Sequence, residues 1–96
     1  MATHKLSTEE IDAAITELDS WAVEDGKLRR EFKFKDFRQA FGFMTKVALE
    51  VHAYDHHPEW VNVYGPVRID LVSHDVDGIS NRDVELARRI NSIYAD

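Results

Sequence analysis

The sequence predicts an α+β fold: a four-stranded antiparallel sheet with three helices packed on one face, in the order α-β-β-α-β-β-α. Three observations predict it. Apolar residues recur at helical spacing in three separate stretches, one near each end and a longer one between them. Two pairs of short segments, rich in apolar and aromatic residues, fill the gaps, and a turn dipeptide joins each pair, Asp25-Gly26 in the first and Gly65-Pro66 in the second. Hairpins linked by helices build an antiparallel sheet whose apolar face the helices cover.

The first helix starts at Ser7, where Ser7 and Glu10 form a capping box and Leu6 and Ile11 have the spacing of a hydrophobic staple. Ile11, Ala14, Ile15 and Leu18 then keep one face apolar to about Asp19. Trp21 to Val23 is a short apolar strand. Asp25-Gly26 supplies the positive φ values of a tight hairpin. Beyond the turn Leu28, Arg30, Phe32 and Phe34 alternate with Arg29, Glu31 and Lys33, the pattern of a half-buried strand. Asp36 and Gln39 cap the second helix, whose stripe runs through Phe37, Ala40, Phe41, Met44, Val47, Ala48 and Val51. Pro58 disfavours helical geometry at His57, so this helix ends near Tyr54 or Asp55. Trp60 to Tyr64 and Val67 to His74 are the last two strands. In the second of them Val67, Ile69, Leu71 and Ser73 share one face, and Arg68, Asp70, Val72 and His74 share the other. The final helix starts at Ser80, with Asp83 at the capping-box position, a staple from Ile79 to Val84, and an apolar face through Val84, Ala87 and Ile90.

At 96 residues the chain is expected to form one domain, residues 1–96, with a modest core that gains from burial against a second copy. A formal net charge of −6 repels phosphate backbones and argues against direct nucleic-acid binding. The absence of cysteine excludes disulfides, thiolate nucleophiles and cysteine-based zinc sites, and fits a reducing cytoplasm. The first seven residues form no apolar signal core, and no run approaches the roughly 20 apolar residues of a membrane helix. The expectation is a soluble protein that is not exported.

Four of the five histidines lie between positions 52 and 74. His56 and His57 sit where the long helix stops, and His74 sits at the far end of the last strand, so three imidazoles can converge at one sheet edge. Imidazole gives or takes a proton near neutral pH. Three readings compete. Taken singly, a loop His-His pair is ordinarily solvent-exposed and inert, His74 is a polar strand end, Asp83 is a helix cap, and Trp60 and Tyr64 are core or sheet-surface aromatics. A metal site is the second reading, because His52 and His56 are four apart on a helix. Ala53 stands where the zinc-protease pattern requires Glu, however.

The third reading is a resemblance. The segment from His52 to Asp83 resembles the signature of the pterin-4a-carbinolamine dehydratase family. That signature has an acidic, Lys or His residue, three residues, then His, His or Asn, and Pro. An aromatic follows after five residues, His or Trp after nine more, and Asp at least eight further on. His52, His56-His57-Pro58, Tyr64, His74 and Asp83 meet it with every gap matching. Phe34-Lys35-Asp36-Phe37, Ala40-Phe41-Gly42-Phe43-Met44-Thr45 and Asp55-His56-His57-Pro58-Glu59-Trp60 also resemble animal members, and the similarity runs from about Leu6 to Ile90. Familiar animal members have Glu at the first signature position; this chain has His52, which the family tolerates, and so lacks that carboxylate as an accessory orienting group.

The resemblance implies dehydration of a 4a-hydroxytetrahydropterin to the quinonoid dihydropterin, as in tetrahydrobiopterin recycling, with no cofactor and no metal. It implies His56 as the general acid at the 4a-hydroxyl, His74 as the opposing acid/base partner, and His57 as a substrate-positioning histidine with a lesser catalytic share. Asp55, Ser73 and Asp75 flank these residues as hydrogen-bond partners for the pterin. Trp60 forms a pocket wall, and Asp83 orients or charge-stabilises a histidine or touches substrate while capping its helix. The partners implied are the pterin itself, a second copy in a homodimer or homotetramer and, as in animal members, a homeodomain transcription factor, with a nuclear location beside the cytoplasmic one in a eukaryote. That coactivator or assembly role is the alternative to the enzyme.

Overall fold

The computed structural model describes residues 2–96. Its elements are α1 (Thr8–Glu17), β1 (Ala22–Glu24), β2 (Lys27–Phe32), α2 (Phe37–Tyr54), β3 (Glu59–Asn62), β4 (Val67–Leu71), one 3-10 turn (His74–Val76) and α3 (Asn81–Ala95). The four strands form one antiparallel sheet in the order β1-β2-β4-β3. The fold class and the order of elements are those the sequence predicts.

Local chemistry accounts for each boundary. Ser7 and Glu10 satisfy each other's backbone N–H groups at 3.1 and 2.9 Å, and Asp36 accepts from the Gln39 amide at 3.0 Å. The first hairpin turns on Asp25 and Gly26, whose φ values of 53° and 74° are those of a two-residue turn that follows the strand twist. The second hairpin needs Gly65 for a different reason: a Cβ there would stand 2.6 Å from the Phe34 carbonyl oxygen. Asn62 closes the same loop by donating to the carbonyls of Tyr64 and Pro66 at 3.1 and 3.0 Å.

The core lies between the sheet and the helices. Leu28 and Phe32 of β2, and Val67, Ile69 and Leu71 of β4, point inward against Ala40, Phe43, Val47 and Val51 of α2 and Leu86, Ala87 and Ile90 of α3. Ile11 and Ile15 of α1 pack against this cluster only in part, and α1 has no buried residue. Arg30 shares the inward face of β2. Its guanidinium lies 4.5 Å from the Phe32 ring centre and 5.0 Å from that of Tyr94, and donates to Asn91 Oδ1 at 2.7 Å. Among the described residues no helix is long and apolar enough to cross a membrane.

Several details differ from the sequence reading: β2 ends at Phe32 and β3 at Asn62, which leaves Phe34 and Tyr64 outside the strands, and α2 buries Phe43 while Phe37, Phe41 and Ala48 of the expected stripe are exposed. Strand β4 stops at Leu71, and His74 opens the 3-10 turn instead of ending the strand. The chain leaves the sheet because Ser73 and Gly78 pair with each other, at 2.9 and 3.2 Å, around a left-handed Asp77. Asp70, on the outward face of β4, is nevertheless buried, because Arg29 opposite it in register covers it with two parallel hydrogen bonds of 2.7 and 2.9 Å. The Arg29 hydrogen bonds hold the Asp70 carboxyl below the usual carboxylate range, against the opposing effect of burial.

Candidate functional site

Helix α2 delivers the first histidines through the way it ends. Asp55 takes a left-handed conformation, φ 57° and ψ 45°, and the amides of Asp55 and His56 bond back to the carbonyls of His52 and Val51, each at 3.2 Å. Arg82, from the first turn of α3, donates to the Tyr54 and Asp55 carbonyls at 2.6 and 3.0 Å. The C-terminus of α2 is thereby tied to the N-terminus of α3, and His56 leaves the last turn pointing at the α3 cap.

The α3 cap explains what His56 meets. Ser80 and Asp83 form a capping box, with Asp83 Oδ2 accepting the Ser80 amide at 2.8 Å. The same oxygen accepts the Ser73 hydroxyl at 2.9 Å, and Ser73 Oγ lies 2.6 Å from Ser80 Oγ. The other oxygen, Asp83 Oδ1, lies 2.5 Å from His56 Nε2. The Asp83 side chain is 0% exposed and that of His56 is 13% exposed. An acid buried this completely is normally paired, and here every contact of its carboxylate is a hydrogen bond.

His74 follows Ser73 in the chain, and the Ser73 hydroxyl lies 3.5 Å from His56 Nε2. The His74 side chain is 82% exposed, and its Nε2 lies 3.7 Å from Glu59 Oε2. Glu59 Oε1 in turn accepts from Lys27 Nζ at 2.6 Å. His74, Lys27, Val72 and Asp77 line a depression of ≈ 270 Å³ beside the first hairpin turn. His57 is exposed, and its ring centre lies 6.1 Å from that of His52, the residue at the first signature position. Asp55 and Asp75 are exposed as well, and Trp60 is half-buried against the core, paired in register with Ile69.

Five of the eight site residues read from the sequence fall into three groups. His56, Ser73 and Asp83 are joined in one hydrogen-bonded cluster. His74 lies beside it in chain order but faces Glu59, and His57 faces His52. The side chains of Ser73 and Asp83 are buried and bonded to each other. Glu59, Lys27 and Ser80 were not read as site residues. Ser80 carried a signal only as a cap, and Glu59 sits inside the Asp55–Trp60 motif without a role of its own. Among the described residues no group of three or more His, Cys, Asp or Glu side chains is placed to hold a metal ion. A concavity of ≈ 650 Å³ between α1 and α3 is lined by Leu6, Ala14, Val84, Arg88 and their neighbours and by none of the histidines.

Comparison with known proteins places the chain in a family. Residues 4–93 match the family model described as Pterin 4 alpha carbinolamine dehydratase. A protein from Solibacter usitatus, provisionally named a pterin-4-alpha-carbinolamine dehydratase, is 50% identical over 93 residues, covering 97% of this chain and 98% of its own. One from Paraburkholderia xenovorans with the same provisional name is 48% identical over 94 residues, covering 96% and 98%. Among solved structures, the crystal structure of a transcriptional coactivator/pterin dehydratase from Brucella melitensis superposes with a TM-score of 0.90 at 42% identity, covering 95% of this chain and 99% of that one.

Proposed function

This chain belongs to the pterin 4 alpha carbinolamine dehydratase family, and from that premise we propose that His56 and His74 divide between them the two proton transfers of the dehydration. The reaction is that of a hydro-lyase: a 4a-hydroxytetrahydropterin loses water and becomes the quinonoid dihydropterin. The C4a–O bond breaks, the hydroxyl takes up a proton and leaves as water, N5 gives up its proton, and the C4a–N5 double bond forms. One proton goes in and one comes out, so the enzyme needs a donor and an acceptor but no redox partner.

The observation that carries this reading is the contrast between the two imidazoles. His56 is fixed by a fully buried carboxylate, while His74 is exposed beside an exposed one, Glu59. His56 acts as the acid at the 4a-hydroxyl, and His74 receives the N5 proton and returns it to solvent. His57 positions the substrate. Asp55 and Asp75, exposed around the histidines, accept from the donor-rich edge of the pterin, and Trp60 offers a flat wall.

Self-association accompanies this activity. Phe37, Phe41 and Leu49 are exposed along α2, and Val61, Val63 and Tyr64 are exposed on and just after the edge strand β3. Grouped apolar side chains of this kind ordinarily lie in an interface, which supports a homodimer or homotetramer. A cytoplasmic location fits the absence of cysteine, and a transcription-factor partner fits the coactivator named in the Brucella melitensis structure; a nearby gene for an aromatic hydroxylase would favour the purely metabolic role.

The test is to follow the absorbance of freshly generated 4a-hydroxytetrahydropterin with and without the protein, and with chelator present. Chelator-insensitive acceleration over the uncatalysed background supports the histidine reading. No acceleration by protein shown to be folded would move the function to partner binding.

A further inference from the structure

Behind His56 lies a row of hydroxyls that the dehydration as described does not use. The direction of each hydrogen bond in it can be worked out. Ser73 has one hydroxyl proton, and Asp83 Oδ2 takes it at 2.9 Å. Ser73 Oγ can therefore only accept from Ser80 Oγ, 2.6 Å away, so the Ser80 proton points at Ser73. Ser80 Oγ accepts in its turn from the Arg82 amide at 3.1 Å. The row runs head to tail from the Arg82 amide through Ser80 and Ser73 to Asp83. Ser73 and Ser80 are 1% and 0% exposed, so no solvent competes with it.

With Oδ2 holding two donors, from Ser73 and from the Ser80 amide, the carboxylate cannot rotate without breaking both. Oδ1 is left aimed at His56 Nε2 at 2.5 Å, and an ionised oxygen there requires the ring to donate. His56 is thereby held as the Nε2–H form, and Nδ1 becomes the nitrogen that gains and loses the working proton.

We propose that Ser73 and Ser80 are positioning residues for the dehydration: their buried hydroxyls lock Asp83 onto His56 Nε2 and present Nδ1 to the substrate. This rests on the reading of His56 as an acid–base group. Neither serine touches the pterin; both act through Asp83.

The experiment combines nitrogen-15 NMR of the His56 ring with kinetics of Ser73→Ala, Ser80→Ala, His56→Ala and the control Ser7→Ala, which removes an equivalent helix cap on α1 whose hydroxyl bonds to the Glu10 amide. In the unaltered protein, at a pH where the ring is neutral, His56 is expected to carry its proton on Nε2, slowly exchanging and shifted downfield by Asp83. Ser73→Ala and Ser80→Ala should each lower kcat by about tenfold with KM within about twofold, and should move that proton upfield. Ser7→Ala should leave both unchanged. A neutral His56 ring protonated on Nδ1 overturns the inference whatever the variants do. So does an unshifted Nε2 proton in folded Ser73→Ala. If His56→Ala keeps full turnover, the acid–base reading fails and the positioning role fails with it; if His56→Ala is slow while both serine variants match the unaltered protein, only the positioning role fails.

Discussion

Replacing Asp83 with Asn changes almost no volume but changes what His56 can do. The orientation of the new amide is dictated by its surroundings. The Ser73 hydroxyl and Ser80 amide both donate toward Oδ2 at 2.9 and 2.8 Å, so the oxygen of the introduced amide must take that position and its NH2 must take the place of Oδ1. The NH2 then donates to His56 Nε2, and the neutral ring must move its proton to Nδ1. The histidine keeps its place and loses its working tautomer. Correctly placed general acid–base catalysis contributes about 10²–10⁴-fold, so kcat should fall by roughly that factor. The contacts at Oδ2 survive in neutral form, and the loss in stability is that of weakened charge-assisted bonds, about 1–3 kcal/mol. For a domain of this size that lowers Tm by roughly 4–8 °C per kcal/mol. Stopped-flow absorbance of 4a-hydroxytetrahydropterin dehydration measures the first quantity and thermal unfolding the second. A folded Asp83→Asn protein with kcat within about twofold of the original would refute the reasoning, because it would mean that the carboxylate does not set the ring.

Other perturbations separate fold from function. His74→Ala should cut turnover at least about tenfold while changing stability by less than about 0.5 kcal/mol, since its side chain is 82% exposed; parallel kinetics and urea unfolding check this. Gly65→Ala should destabilise by about 1–3 kcal/mol, because its Cβ meets the Phe34 carbonyl oxygen at 2.6 Å, a backbone atom that cannot swing aside; the urea midpoint reads it. Asp70 is held below its ordinary carboxylate value by Arg29, so it stabilises the fold above the unfolded carboxylate value, near about 4, and that contribution disappears as pH falls toward the lower folded value. Asp70→Asn should therefore weaken the protein at neutral pH and flatten the loss of stability on acidification, seen as urea midpoints that converge with those of the original protein at low pH.

The local signals of the chain were legible where one or two neighbouring residues decide the outcome. Ser7 with Glu10, Asp36 with Gln39 and Ser80 with Asp83 mark helix starts because the cap and its hydrogen-bond partner lie within one turn. Asp25-Gly26 marks the hairpin because few residue pairs accept two positive φ values. The alternation of Val67, Ile69 and Leu71 identifies the inward face of β4. What pairing distant segments decides was not legible. Arg29 covers Asp70 only because the strand register puts them opposite each other. His74 leaves the strand because Ser73 closes a loop with Gly78, and no alternation pattern records that closure. For the site, the signature picked out His56, His74 and Asp83, but not that Asp83 faces inward to a serine pair. A capping residue and a histidine support look the same in sequence, and here one side chain is both.

The direct test of the histidine mechanism is the dehydration rate of folded His56→Ala protein, measured against the unaltered protein and the uncatalysed background. A kcat lower by about 10²–10⁴-fold, with circular dichroism unchanged, is the expected result. Turnover equal to that of the unaltered protein would contradict it, and would show that water leaves the pterin without the imidazole that Asp83 holds in place.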